Sequence, residues 1–479
     1  LIINRKKQMS NRANILKNIG LNSFVTFFNT AFPLLLIPII TSRLSPEDIG
    51  YIFFLDTTAK YLSIFALIGI PIYGVRELSK AKTLSTKANI FSELSLLSLG
   101  VSSTIILLII AHALIMGVLS LYTILLIFLF LSYTFSFEWT MQGLEKFKQI
   151  AIRNFVLRLA MLLSALFFVK EQDDAITYFY ILVIINLLIG IANLFVVLKA
   201  GIKINNNNIK ASFNKHKKPL SIIFLTSFSI SIYTLFDTIF LKWFSTNSAV
   251  AFYTVGLKAS AATSAIIGAI SMAIIPRLSS VLVDDVNAYN NLLRMSFRLT
   301  FLVALPASIL LNIHAETIIN LISNENYEKS VIVLEVLSFL PLIIGLSSIF
   351  GIQVLTIKNR EKQLLKAVIL GGIISLVLNY FLVPGYAELG AAISYLATET
   401  LVTTITACFA LKHIELSFDK SAILIMVCKG LILLTVGLYI KKHFSGNRQI
   451  MMTFLFAFTY LSLFIKDIKK ILKHQRYEI

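Results

Sequence analysis

Residues 176–198 read ITYFYILVIINLLIGIANLFVVL, without one charged side chain, and residues 199–218 read KAGIKINNNNIKASFNKHKK, with six lysines. A helix over the first stretch is long enough to cross the ~30 Å hydrocarbon core of a bilayer at 1.5 Å per residue. Similar apolar runs recur along the whole chain. The sequence therefore predicts an all-α polytopic membrane protein with about 14 transmembrane helices, at 19–40, 51–72, 91–111, 118–136, 152–169, 176–198, 219–241, 251–275, 297–320, 331–357, 364–383, 389–411, 421–440 and 449–465.

Basic residues are concentrated on one side of these spans. Of the 43 lysines and arginines, 32 lie in the termini or the even-numbered connections, when residues at the edge of a span are counted in the adjoining connection. The odd-numbered connections hold seven, and four lie within spans. Because cytoplasmic loops carry the excess of basic residues, we expect both termini and the 199–218 connection to be cytoplasmic.

The composition excludes a soluble domain, since 57% of the residues are apolar, 14% are charged and the mean hydropathy is +0.83. The cytoplasmic bias explains the net charge of +19, so we expect membrane lipids and not nucleic acid as partners. The apolar run after residue 18 contains Pro33 and Pro38 and no small-residue cleavage site. We expect it to be a first span and not a removed signal peptide.

Two segments about 200 residues apart resemble each other, because Arg-Glu-Leu-Ser ends the first at Ser79 and Arg-Leu-Ser ends the second at Ser279. Six spans separate the copies, so both halves enter the membrane in the same direction. We expect a pseudo-two-fold axis along the membrane normal. The predicted domains are an N-terminal lobe of helices 1–6 (1–198), a basic cytoplasmic linker (199–218), a C-terminal lobe of helices 7–12 (219–411), and accessory helices 13–14 with a cytoplasmic tail (412–479).

The connections leave little room for catalysis. Apart from span ends, no extracytoplasmic connection exceeds about ten residues, which argues against a membrane polymerase or ligase. The sequence has no Gly-x-x-x-x-Gly-Lys phosphate loop, no metal-ligand cluster and no usable Ser-His-Asp set. We therefore expect no catalytic residues, no metal and no cofactor, and we expect any transport to be driven by gradients or by the substrate's own free energy.

Two of the four basic residues inside spans lie in the predicted N-terminal lobe. A charge at mid-membrane costs ~2.5–3.5 kcal/mol on insertion scales, so such a residue usually faces a cavity or a partner. Lys60 either pairs with Asp56 one helical turn away or meets substrate in a cavity, and a paired lysine still lines a cavity. Arg158 either faces the cavity or extends to the cytoplasmic interface near Arg153.

The other two basic residues lie in later spans. Lys258 either pairs with Asp237 of the preceding span or joins the cavity. Lys429 is near the middle of its span with no acid within one turn, so we expect it to face the cavity. Glu399 is near the centre of span 12, where it either binds a proton or sodium ion or pairs with a lysine of another helix.

Four stretches spread over most of the chain carry a family resemblance: 43–50 with 69–77; 139–153; Asp237 and Tyr253 with Lys258 and 276–279; and 378–392 with Glu399. They are similar to bacterial O-antigen and capsular polysaccharide repeat-unit flippases of the multidrug/oligosaccharidyl-lipid/polysaccharide exporter superfamily. Ser45 departs from this pattern, since the family commonly has Gly after the Leu.

The resemblance implies two six-helix bundles around a central cavity, alternating access, a bacterial inner-membrane location and a polyprenyl-pyrophosphate-linked oligosaccharide as cargo. A polysaccharide polymerase or chain-length regulator would be a partner. A cavity lined by Lys60, Arg158, Lys258 and Lys429 suits a pyrophosphate, while Glu399, Asp56 and Asp237 are either ion-coupling or structural acids. Two alternatives stay open, namely a peptidoglycan lipid-precursor flippase, and a drug/cation antiporter, which would prefer an anionic cavity.

Overall fold

The structure is a computed structural model that describes residues 28–202, 209–414 and 420–444 and parts of 452–464. All regular elements in these residues are helical. Contacts divide the chain into two compact units, Leu1–Thr254 and Val255–Ile479. The start of the first predicted span and the C-terminal tail lie outside the described residues.

Nine helices of the first unit lie wholly within the residues that the structure describes. They are α1 (Pro33–Thr41), α2 (Pro46–Leu67), α3 (Ile70–Lys80), α4 (Leu84–Ile115), α5 (Leu121–Thr134), α6 (Glu138–Gly143), α7 (Phe147–Phe168), α8 (Ala175–Lys199) and α9 (Ile209–Phe244). A 3₁₀ turn at Gln172–Asp174 precedes α8, and α10 (Asn247–Asp284) begins in this unit. Within the unit, α2 packs on α5 and α9, and α8 packs on α5 and α7.

The second unit continues with α11 (Val286–Ile313), α12 (Ala315–Ile322), α13 (Lys329–Leu337), α14 (Leu340–Ser347), a π-helix (Ser348–Thr356), α15 (Glu361–Ala410) and α16 (Lys420–His443). A 3₁₀ turn at Glu325–Tyr327 precedes α13. The π-helix and α14 both pack on α15. Apolar side chains of α11 pack against α16 and the described part of the last predicted span, where the predicted accessory pair lies.

Nine helices among the described residues are long and apolar enough to cross a membrane, and the bent pair α2–α3 raises the number to ten. The predicted spans 364–383 and 389–411 both lie in α15, whose backbone leaves helical geometry at Ala387 (φ 45°, ψ −124°). The all-α polytopic fold class is confirmed. The count of fourteen stays a prediction.

Ser45 caps α2. Its hydroxyl accepts a hydrogen bond from the backbone N–H of Asp48 at 3.1 Å and donates to the Asp48 carboxylate at 2.6 Å, and Pro46 follows in the first turn. Serine is a preferred N-cap residue, and proline is favoured at the first helical position. The residue that departs from the family pattern therefore has a capping role in this chain.

A sharp bend ends α2. Ile68 and Gly69 have φ values of 47° and 81°, and α3 leaves α2 at an angle of 48°. A Cβ on Gly69 would lie 2.9 Å from the Ile223 side chain, so α9 packs closely over the bend. The bend falls within the predicted span 51–72, where hydropathy could not indicate it because hydropathy does not register a left-handed backbone.

The stretches 69–77 and 139–153 meet in the structure. A Cβ on Gly74 of α3 would lie 2.4 Å from the Trp139 ring of α6, so the absence of a side chain permits this packing. Tyr73, Phe91 and Trp139 belong to one buried cluster. This cluster fixes α6, which carries Glu138 into the site described below.

Two helices extend beyond the predicted segments. The helix that contains residues 297–313 of the predicted span 297–320 begins at Val286, where Asp285 accepts hydrogen bonds from the backbone N–H groups of Asn287 and Ala288 at 2.8 and 3.1 Å. Residues 209–218, predicted as linker, form the first turns of α9. The prediction of four domains itself stays a prediction.

Candidate functional site

A network of charged and amide side chains lies inside the first unit. Its members are Asn29, Glu138, Arg153, Asn154, Arg158 and Asn193, and we call this set the polar network. None of these side chains belongs to a fully exposed residue. Polar groups in an apolar setting are costly unless they are hydrogen-bonded, so each member depends on its neighbours.

Arg153 is fully engaged in this network. Its Nε and Nη2 donate to Asn154 Oδ1 at 3.1 and 2.5 Å, and its Nη1 donates to Asn193 Oδ1. Nη2 also lies 3.5 Å from the Glu138 carboxylate, and Asn193 donates in turn to the Ser136 carbonyl at 2.6 Å. With its side chain 9% exposed, Arg153 ties α7 to α6 and α8.

Arg158, on the same helix, is held through its Nε by the described residues. Its Nε donates to Asn29 Oδ1 at 3.1 Å, and its guanidinium lies 5.2 Å from the centre of the Phe32 ring. No described residue accepts a hydrogen bond from its Nη1 or Nη2. A guanidinium carries five N–H donors in a planar fork. Among the described residues, the Nη edge of Arg158 therefore has no hydrogen-bond acceptor.

The Asp56–Lys60 pair expected from the helical spacing is present, with Nζ 2.7 Å from the carboxylate. Tyr133 of α5 donates its hydroxyl to the same carboxylate, and its ring centre lies 5.5 Å from Lys60 Nζ. The Asp56 side chain is 13% exposed and the Lys60 side chain 45%. The acid is therefore enclosed while the ammonium group stays accessible.

These two groups form one charged region of the first unit, because Arg158 interacts electrostatically with Asp56, Tyr133 and Glu138. The region contains three cations and two acids, namely Lys60, Arg153, Arg158, Asp56 and Glu138. A net positive charge in a low-dielectric setting attracts an anionic group.

The two other predicted acids, Asp237 and Glu399, differ in their hydrogen bonding. Asp237 is fully buried and accepts a hydrogen bond from the Tyr253 hydroxyl at 2.9 Å, while its pairing with Lys258 stays a prediction. Glu399 of α15 is 7% exposed, and no described residue forms a hydrogen bond or ion pair with it. The alternative of a lysine partner for Glu399 is thus not met in the part of the chain that the structure describes.

Lys429 of α16 lies 4.8 Å from the centre of the Phe464 ring. A cation over an aromatic face is attracted to the ring, so this contact helps join the two accessory helices. The roles of Lys258 and Lys429 as cavity cations stay predictions.

Sequence reasoning missed a contact between the starts of α2 and α10, which we call the outer contact. Glu47 accepts hydrogen bonds from Asn247 Nδ2 at 2.6 Å, from the Ser248 backbone N–H at 3.2 Å and from the Ser248 hydroxyl at 2.9 Å. A Cβ on Gly50 would lie 1.7 Å from the Asn247 carbonyl oxygen. A carboxylate at a helix start is stabilised by the helix dipole. The two helix starts are equivalent positions of the internal repeat predicted from the sequence.

Sequence reasoning also missed a polar cluster that holds the start of α9. Glu93 of α4 accepts a hydrogen bond from Lys215 Nζ at 2.6 Å and lies 2.9 Å from His216 Nε2. The Tyr73 hydroxyl lies 2.9 Å from His216 Nδ1, and His216 is 2% exposed. The end of the predicted linker is therefore bound to α3 and α4.

Polar contacts of the second unit include a cluster of neutral groups around the π-helix. Gln353 Nε2 donates to Ser271 Oγ at 2.7 Å, and the Ser271 and Ser348 hydroxyls are 2.6 Å apart. The Tyr289 hydroxyl donates to the Gln353 carbonyl at 2.8 Å. A π-helix shifts the backbone hydrogen-bond pattern and commonly marks a functional position.

Asparagines were the main omission from the predicted site. Asn29 and Asn193 bind the two arginines, yet neither carries a charge that a search for buried ions would find. The available signal was an amide inside an otherwise apolar run. No group of three metal-ligating side chains occurs among the described residues.

The chain matches the family described as "Polysaccharide biosynthesis protein" over residues 15–282. A protein of Escherichia coli (strain K12) named "Putative O-antigen transporter" is 28% identical over 416 residues, which cover 84% of this chain and 97% of that protein. A protein of the same name from Shigella dysenteriae is 27% identical over 393 residues, with 81% and 97% covered.

Solved structures share the fold. "Lipid II flippase MurJ, inward closed conformation" aligns with a TM-score of 0.70 and 16% identity over 94% of this chain and 99% of that chain. A multidrug resistance MATE family transporter of the MOP superfamily, in its inward-facing conformation, aligns with a TM-score of 0.62 and 12% identity, covering 81% and 94%. At these identities the likeness establishes the fold alone.

Proposed function

Because this chain belongs to the polysaccharide biosynthesis protein family, we propose that it is a polysaccharide transporter that flips lipid-linked repeat units. Its cargo is a polyprenyl-pyrophosphate-linked oligosaccharide, moved from the cytoplasmic to the outer leaflet for O-antigen, capsule or exopolysaccharide synthesis. The two relatives named as O-antigen transporters are matched over 97% of their length, which supports transport as the activity.

The observation that carries this proposal is that no described residue accepts a hydrogen bond from the Nη edge of Arg158. Phosphate oxygens accept two parallel N–H bonds from a guanidinium, and these charge-assisted bonds are about twice as strong as neutral ones. Lys60, 45% exposed and in the same charged region, adds a second cation. Lys258 and Lys429 are proposed to contribute positive charge further along the path.

The charges of the cargo explain why such a region is needed. A pyrophosphate cannot enter hydrocarbon at low cost, because desolvating an unpaired charge is expensive. A hydrated cavity with surplus cations replaces the lost hydration, while the polyprenyl tail remains in the bilayer. A cavity for organic cations would need the opposite sign, so the charge of this region favours a lipid-linked glycan over a drug.

Alternating access requires the outer ends of the helices to separate. The outer contact joins α2 to α10 through Glu47 and through the backbone approach at Gly50. We propose that this contact closes the extracytoplasmic side of the cavity and opens when cargo leaves.

Energy coupling is assigned to Glu399, with Asp56 and Asp237 as structural acids. Asp56 and Asp237 are hydrogen-bonded, whereas Glu399 has no described partner. A carboxylate buried in the membrane without a partner is stabilised by binding a proton or a sodium ion. Ion release would then reset the cavity to face the cytoplasm.

Reconstitution tests the activity directly. Proteoliposomes loaded with a fluorescent polyprenyl-pyrophosphate-linked glycan report flipping as exposure of the label to an impermeant reductant. We expect the wild type to flip this lipid, Arg158→Gln to lower the rate at least tenfold, and Arg158→Lys to lower it less, because a single lost charge-assisted contact is worth ~1.5–3 kcal/mol.

Arg43 supplies the matched control. It donates to main-chain carbonyls at the end of α7, with Leu166 O at 2.8 Å, and contacts none of the charged region in the described residues. Arg43→Gln is expected to flip at the wild-type rate per folded molecule. Equal rates for Arg158→Gln and wild type would overturn the proposal, and a preference for the peptidoglycan lipid precursor or for organic cations would replace the cargo.

The proposed topology places the protein in the bacterial inner membrane with both termini and the 199–218 segment in the cytoplasm. Single cysteines at Asn207 and Ser445, in a background with Cys408 and Cys428 replaced by alanine, report this arrangement. An impermeant maleimide added to intact cells is expected to label position 445 and spare position 207. Labelling at 207 from outside would overturn the orientation.

A further inference from the structure

One amide oxygen joins the two arginines of the polar network. Asn29 Oδ1 accepts hydrogen bonds from Arg158 Nε at 3.1 Å and from Asn154 Nδ2 at 3.3 Å. The Asn29 Nδ2 group donates to no described acceptor. The single side-chain oxygen of Asn29 therefore contacts both Arg158 and Asn154.

One of the two donors to this oxygen, the Asn154 amide, is polarised by Arg153. Arg153 donates two N–H groups to Asn154 Oδ1, and Asn154 donates onward to Asn29. Hydrogen bonds in a chain strengthen one another in a low-dielectric interior. The charge of Arg153 therefore strengthens the Asn154 donor and holds the Asn29 oxygen in one direction.

The neutrality of Asn29 matters for Arg158. Asn29 engages Nε alone, and Phe32, three residues later, covers one face of the guanidinium at 5.2 Å. A carboxylate in this place would bind the guanidinium with two oxygens and would offset its charge. An amide orients the guanidinium and leaves both its charge and its Nη edge available.

We infer that Asn29 is a positioning residue for cargo recognition, which holds Arg158 by its Nε edge and so presents the Nη edge to the oxygens of the pyrophosphate. This inference rests on the proposed function. It adds a residue of the first span to the recognition site and explains why an uncharged acceptor lies beside a buried arginine.

The effects of Asn29→Asp and Asn29→Ala distinguish a purely structural role of Asn29 from a positioning role. Asn29→Asp keeps an acceptor for both donors and adds an ion pair with Arg158, so packing is preserved. Asn29→Ala leaves Arg158 Nε and Asn154 Nδ2 without their acceptor, so packing is weakened. If Asn29 serves packing alone, the aspartate variant is the benign one; if Asn29 positions Arg158, the aspartate variant is the more harmful to cargo binding.

The experiment measures KM and maximal rate of flipping for the reconstituted full chain, together with the midpoint of thermal unfolding. Asn29→Asp is expected to raise KM about tenfold or more, with an unfolding midpoint at or above that of the wild type. Asn186→Asp is the matched control, because Asn186 is partly buried in α8 and, among the described residues, donates only to the Leu182 carbonyl at 2.7 Å. Its KM is expected to equal that of the wild type.

The outcomes distinguish a failure of the positioning role of Asn29 from a failure of the proposed function. A wild-type KM for Asn29→Asp alongside a defective Arg158→Gln overturns the positioning role and retains the proposed function. Normal flipping by Arg158→Gln overturns the proposed function itself. If Asn29→Asp gives no folded protein, Asn29→Ala decides: a KM raised severalfold per folded molecule supports positioning, and an unchanged KM overturns it.

Discussion

The two units handle buried polar groups differently. In the first unit, arginines, acids and asparagines are gathered into one connected region, where Arg153 has several acceptors and the Nη groups of Arg158 have none among the described residues. In the second unit, neutral hydroxyl and amide groups surround the π-helix, and Glu399 has no partner among the described residues.

This difference separates two physical problems. Charges gathered in a network stabilise one another, and a surplus cation at its edge binds an anion without a large structural change. A lone buried carboxylate instead lowers its free energy by binding a proton or cation. The proposed division of labour follows, with cargo recognition in the first unit and ion coupling in the second.

The largest effect on stability is expected from Arg153→Gln. This change removes the donors to Asn154 and Asn193 and leaves Glu138 without its ion pair, so we expect a loss of about 2–3 kcal/mol, somewhat below the range for a fully buried pair. The yield and unfolding midpoint of detergent-purified protein measure it. Arg158→Gln is the comparison and is expected to unfold near the wild-type midpoint; equal losses for the two variants would contradict the assignment of different roles.

A smaller loss, about 1–3 kcal/mol, is expected from Gly50→Val in the outer contact, because the added side chain overlaps the Asn247 carbonyl. Gly268→Val is the matched control, since no atom lies within 4 Å of the position a Cβ would take there. A cysteine at Ala249, which is 3% exposed, is expected to react faster with an impermeant maleimide in the Gly50 variant only. Unchanged reactivity would show that the outer contact tolerates a side chain at position 50.

Glu399→Gln tests the second unit. We expect an imposed proton or sodium gradient to accelerate flipping by the wild type and to leave the rate of this variant at its basal value, because the amide binds neither ion as the carboxylate does. Flipping without a gradient is expected to persist. A gradient effect of full size in Glu399→Gln would make this carboxylate structural.

The smallest structural effect is expected from Lys429→Gln, about 0.5–2 kcal/mol, since it removes one cation–π contact with Phe464. Lys60→Gln is the informative partner, because Lys60 lies in the charged region beside Asp56. We expect Lys60→Gln to reduce flipping more than Lys429→Gln does. The reverse order would move the main anion-binding region to the second unit.

The sequence predicted the fold class because long apolar runs and a one-sided charge bias are properties of composition. It also offered the Asp56–Lys60 pair as one of two alternatives for Lys60, and the helical period alone brings these two residues together. The sequence did not predict the bend at Ile68 and Gly69. The left-handed backbone there accompanies local packing against Ile223, and a hydropathy profile contains no information on such packing.

The sequence identified only charged residues of the candidate site and none of its asparagines. Arg158 was identified as a cation inside a span, but its difference from Arg153 depends on which amides of other helices reach each guanidinium. The amides concerned are Asn29 of the first span and Asn193 of α8, and such tertiary contacts are not encoded by spacing along one helix. Glu47 and Gly50 escaped for the same reason, because their partners lie about 200 residues away.

The central claim is that the Nη edge of Arg158 recognises the pyrophosphate of the cargo. Equilibrium binding to the purified full chain in nanodiscs, compared between a pyrophosphate-linked glycan and its monophosphate-linked counterpart, tests this claim most directly. We predict that the wild type binds the pyrophosphate form about tenfold more tightly or better, and that Arg158→Gln loses most of this preference. The same preference in Arg158→Gln as in the wild type would contradict the account.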